Sequence, residues 1–94
     1  MSDDQHRFLS LLAQPPARLT AQQTAWALNI QLYDIPILIA KRLLKPLGSP
    51  ALNGAKWFAA AEILALSRDG AWLSKATKAI QDCWQVRNQK RALS

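Results

Sequence analysis

Lys41, Arg42, Lys45 and Lys56 are the residues whose type and spacing most clearly invite a partner, because no Asp or Glu stands between Ile35 and Phe58. A run of cations without an intervening acid attracts a polyanion. The rest of the chain leans the same way. Residues 1–33 balance to zero, with Arg7 and Arg18 against Asp3 and Asp4. The whole formal charge of +6 therefore arises in residues 34–94, where ten basic side chains face four acidic ones. The tail adds Arg87, Lys90 and Arg91. Catalytic chemistry finds no comparable footing. His6 has no partner at metal-ligand spacing, and Cys83 has no histidine to activate it as a nucleophile. Asp34, Glu62 and Asp82 read as a cap, a helix-start acid and half of a surface pair, and no glycine-rich phosphate loop occurs. The expectation is a protein that is not an enzyme and holds no cofactor or metal.

The elements that must position these cations are mostly helical. Residues 5–13 form a short helical candidate with Phe8, Leu11 and Leu12 on one side, ended by Pro15-Pro16. Thr20 is a good N-cap, and Gln23 three residues later has capping-box spacing. Ala21, Ala25 and Leu28 then give one narrow apolar face. Asn29 stands where the helix must stop, since asparagine tolerates the left-handed turn at a helix C-terminus. Asp34 offers a new N-cap, and Pro36 suits the first turn of a second helix. Residues 20–43 thus read as a helix-turn-helix. With Ile35, Leu38, Ile39 and Leu43 inward, the outer face of its second helix holds Ile37, Ala40 and Lys41. Leu44–Leu47 and Ala55–Phe58 are extended candidates around a turn-rich segment, which reads as a β-hairpin wing over about residues 44–58. Two further helices fill about 59–91, with Asp69 as the N-cap of the last. That helix has an inner stripe of Trp72, Leu73, Ala76, Ile80, Cys83, Trp84 and Arg87, and an outer one that includes Lys75, Lys78, Gln85 and Gln89.

In order and spacing these segments resemble the MerR and excisionase-like winged helices. Leu19-Thr20-Ala21-Gln22-Gln23-Thr24-Ala25-Trp26-Ala27-Leu28-Asn29-Ile30 is similar to their opening helix. Arg42-Leu43-Leu44-Lys45-Pro46 is similar to their exit from the recognition helix, with Arg42 where they carry glycine. Lys56-Trp57-Phe58, followed by Ala61-Glu62-Ile63 and Leu66, resembles the segment after their wing. The likeness covers about residues 18–68. It implies a mainly α fold, a winged helix-turn-helix with a long C-terminal helix. It also implies binding of double-stranded DNA, with the second helix in the major groove and the wing on adjacent backbone. The residues it implicates are Thr20, Ile37, Lys41, Arg42, Lys45, Asn53 and Lys56. Where MerR relatives carry an Arg-Tyr-Tyr/Trp-Glu run, this chain has Pro36-Ile37-Leu38-Ile39.

Composition bounds these readings. Half the residues are apolar and 19% charged, which fits one globular domain over residues 1–94. Four tryptophans, at 26, 57, 72 and 84, are large enough that most are expected in the core, as is the lone Cys83. No apolar run reaches membrane-spanning length and no leader pattern precedes the domain, so a reducing cytoplasm is the expectation. The leading function is a small transcription regulator or excisionase-like accessory factor that contacts duplex DNA mainly through phosphates. A homodimer through the C-terminal helix accompanies it. The alternative is a protein-interaction module whose partner sits on the apolar Ile37/Ala40 face.

Overall fold

A computed structural model describes residues 2–51 and 53–93, with side chains described as far as Asn88. Leu52 of the turn segment and the side chains of Gln89, Lys90 and Arg91 lie outside the described residues. In chain order the elements are α1 (Asp3–Ser10), β1 (Arg18–Thr20), α2 (Ala21–Leu28), a 3-10 turn (Leu32–Asp34), α3 (Ile35–Ala40), β2 (Trp57–Ala59), α4 (Ala60–Leu66) and α5 (Gly70–Leu93). The chain is mainly helical, with one two-stranded antiparallel sheet.

Local chemistry explains most boundaries. Ser2 caps α1 by accepting from the Gln5 amide at 3.1 Å, so that helix begins and ends earlier than its apolar pattern suggests. Only Phe8 of α1 is buried, and Leu11, expected on the inner side, is 63% exposed. At the start of α2 the Gln23 amide donates to Thr20 Oγ1 at 3.1 Å, and the Thr20 amide donates to Gln23 Oε1 at 3.0 Å. Both halves of the expected capping box are present. Asn29 ends α2 at φ 55° and ψ 47°, the left-handed conformation its side chain tolerates, and the Ile30 amide then reaches back to Ala25. Asp69 caps α5 by accepting from the Trp72 amide at 3.1 Å.

The expected hairpin between Leu44–Leu47 and Ala55–Phe58 does not form. β2 pairs instead with β1, in the register Arg18 to Ala59, Leu19 to Phe58 and Thr20 to Trp57. Pairing sets Leu19 and Phe58 opposite one another, both essentially inaccessible, at the centre of the core. The Leu44–Leu47 segment has too few donors left for a ladder. The Leu44 amide donates to the Leu38 carbonyl within α3, and Pro46 has no N–H. One bond, Leu47 N–H to the Trp57 carbonyl at 2.7 Å, lays the segment against the outer edge of β2.

The core joins Phe8, Leu19, Ala25, Leu28, Ile35, Leu38, Leu44, Phe58, Ala60, Ile63 and Ala76. No tryptophan is fully buried in it: Trp26 and Trp72 pack against it half-buried, Trp84 is half-buried, and Trp57 is exposed. Each instead bridges two parts of the chain. Trp26 packs its ring 5.8 Å from Phe8, joining α2 to α1. Trp57 lies under the Arg18 guanidinium at 4.3 Å, across the two strands. Trp72 Nε1 donates to the Leu43 carbonyl at 3.0 Å, and Trp84 Nε1 donates to Asp34 Oδ1 at 3.2 Å. An indole with a wet edge and a satisfied N–H is better placed at such a seam than in a dry centre. Cys83, also expected inside, is half-buried on the same helix.

Candidate nucleic-acid interface

α3 is the element that should present a recognition surface, and its six residues, Ile-Pro-Ile-Leu-Ile-Ala, are all apolar. Ile35, Ile37 and Leu38 are buried, Ile39 is half-buried, and Pro36 and Ala40 are exposed. Ile37 is a correction to the sequence reading, which set it on the outer face; it is 6% exposed. The reading assumed a single neighbour for this helix. α3 packs against α5 as well as against the rest of the core, so its buried arc is wider than one stripe. Buried in this way, Ile37 offers no side-chain surface to DNA or to a partner, whereas Ala40 remains exposed.

Both ends of α3 are tied to α5. Asp34, 6% exposed, does not cap α3 with its side chain as expected. Its Oδ2 accepts from the Gln31 amide at 3.1 Å and its Oδ1 from the Trp84 indole. The Trp84 ring also meets Tyr33 edge-on at 5.4 Å and lies 4.8 Å from the Arg87 guanidinium. At the other end, the Leu43 amide donates back to Leu38 at 2.8 Å, while Leu43 offers its carbonyl to Trp72. The chain manages that reversal because Arg42 adopts φ 60°, the left-handed conformation for which glycine is the usual residue.

The cations fall into place around this frame. Lys41, Arg42 and Lys45 are all exposed and follow directly from the C-terminus of α3. Arg42 and Lys45 line a small hollow together with Ile39, Leu44 and Pro46. Lys56 is half-buried, with its Nζ 3.4 Å from the Gly54 carbonyl, and Asn53 is exposed beside it in the turn that Gly54 closes onto Ala51. Thr20 stands apart in role: its hydroxyl and its own N–H are engaged in the capping box, and its residue pairs with Trp57.

Beside Lys56 runs a groove of about 600 Å³, which shares Ile39 with the hollow lined by Arg42 and Lys45. Leu32, Pro36, Ile39 and Ala40 form one wall, Gly54, Ala55 and Lys56 the other, and Ala21 and Ile35 complete it. The groove escaped the sequence reading because its walls come from the 3-10 turn, α3 and the loop before β2, which no local periodicity connects. The available signal was Leu32, a large apolar residue in the turn between Asn29 and Asp34. No family model matches the chain, and no curated protein or solved structure matches it significantly.

Proposed function

We propose that this chain is a winged-helix module that binds duplex DNA chiefly through phosphates, as a transcription regulator or an excisionase-like accessory factor. The observation that carries the reading is the exposed cluster Lys41, Arg42 and Lys45 at the exit of the second helix, with Lys56 across the groove and no acid from Ile35 to Phe58. Such a cluster meets the sugar-phosphate backbone, which fixes position without specifying sequence. The two-residue path from Pro46 to Leu47, laid on β2 by a single hydrogen bond, serves as a reduced wing. One module of this size buries about 600–1,000 Å² on DNA, so a pair of copies joined through α5 belongs to the proposal. Trp84 is engaged within its own chain, which leaves positions such as Val86, 52% exposed, for that contact.

Fluorescence anisotropy with a labelled random-sequence duplex, titrated over a range of salt, tests the reading. Four cations on phosphates give a slope of log affinity against log salt of about −3.6. Lys41→Glu/Lys45→Glu should cut the affinity sharply and flatten the slope by about 2. Unchanged binding by that variant would overturn the phosphate role of the cluster, and no binding by the parent chain at low salt would overturn the function.

A further inference from the structure

We infer that the exposed strip of Pro36, Ile39 and Ala40 on α3 reads the 5-methyl group of thymine, so that the preferred duplex is rich in A·T pairs. The inference rests on the DNA-binding reading and names what the same surface recognises.

The argument begins with what α3 lacks. Recognition helices usually discriminate bases with Arg, Lys, Asn or Gln aimed at donors and acceptors on base edges. α3 has no side chain that donates or accepts a hydrogen bond, so no such pair forms from within it. Its exposed residues, Pro36 and Ala40, stand beside half-buried Ile39 on one wall of the apolar groove. Ile39 lies between cations: it borders the hollow lined by Arg42 and Lys45 on one side and the groove lined by Lys56 on the other.

A duplex held by its phosphates on these cations lays whatever lies between two backbone strands over the strip. The phosphates themselves do not enter, because an ionised group against hydrocarbon walls loses its hydration with no compensating hydrogen bond. Base edges fill that space. The minor groove carries no methyl group, whereas the major groove exposes the thymine methyl. An apolar strip between cations is complementary to that arrangement: charge outside, methyl inside.

Replacing dT by dU removes only the methyl group and leaves each hydrogen-bonding edge in place. The test measures anisotropy for four labelled duplexes of equal length: A·T-rich with dT, the same with dU, G·C-rich with dC, and the same with 5-methyl-dC. Affinity should fall about four-fold from dT to dU for each methyl group buried, and rise by a similar factor from dC to 5-methyl-dC. Pro36→Ser/Ala40→Ser, at two exposed positions, should bring both ratios towards one while leaving the salt slope unchanged. Equal affinities within each pair for the parent chain, or ratios that persist in the double variant, would overturn the inference while DNA binding stands. Failure to bind any of the four at low salt would remove the DNA reading itself, and the groove would then await a protein partner.

Discussion

Arg42 holds a conformation that its residue type resists. At φ 60° a side chain with a Cβ sits in a region that costs L-residues roughly 1–2 kcal/mol, and the turn out of α3 demands it. Glycine in that place removes the clash but adds freedom to the unfolded chain, at about 0.5–1 kcal/mol. Arg42→Gly should therefore stabilise the fold by about 0.5–1 kcal/mol, read as a rise of a few degrees in Tm by circular dichroism. The same change removes one of the cations at the proposed interface, so the salt slope of DNA binding should shrink by about 1. Stability and affinity then move in opposite directions at one residue. A variant that lost stability would show that the Arg42 side chain holds the turn together. Asn29 at φ 55° was legible in the sequence because asparagine is a familiar helix terminator. The strain at Arg42 was not: only the comparison with winged helices, which carry glycine there, pointed to it.

Two indoles connect α3 to α5, and this pairing governs how α3 is held. A helix of six residues has no independent stability in water. Trp72 binds the carbonyl just beyond its C-terminal end, and Trp84 binds the carboxylate at its N-terminal end. Trp84→Phe keeps an aromatic ring, though a smaller one, and leaves Asp34 Oδ1 without that donor in a site only 6% exposed. The cost should be about 1–3 kcal/mol. At roughly 4–8 °C per kcal/mol for a domain of this size, the Tm should drop by several degrees or more. Asp34→Ala combined with Trp84→Phe should cost less than the two single changes together, since each removes the same bond. Additive effects would mean that the hydrogen bond contributes nothing. The helices and their caps at Thr20, Asn29 and Asp69 were legible because each is a local pattern of a few residues. The indole bonds span 29 and 50 positions, and the pairing of β1 with β2 joins residues about 40 apart. No window of sequence contains both partners, so Leu44–Leu47 was the nearer and mistaken choice for a strand partner.

The whole molecule is longer than a sphere of its mass. Its radius of gyration is 14.3 Å, against about 12 Å for a compact chain of this length, and its longest axis is 48 Å. The 24-residue α5, about 36 Å from end to end, accounts for the difference. Over this shape the charge is one-sided in sequence, with the entire +6 in residues 34–94. Like charges repel across a folded body, and the effect weakens as the Debye length falls from about 30 Å at 0.01 M salt to about 8 Å at 0.15 M. Without DNA, the Tm should therefore rise by a few degrees over that range. With saturating duplex at low salt the order reverses. A ligand that binds only the folded chain stabilises it by RT ln(1 + [L]/Kd), and salt weakens a phosphate-driven Kd steeply. The Tm should then start well above that of the free protein and fall with salt until the two curves meet. Parallel curves with and without duplex would mean that the charge serves solubility alone. Curves that converge in this way tie the cation cluster to the duplex through a property of the entire chain.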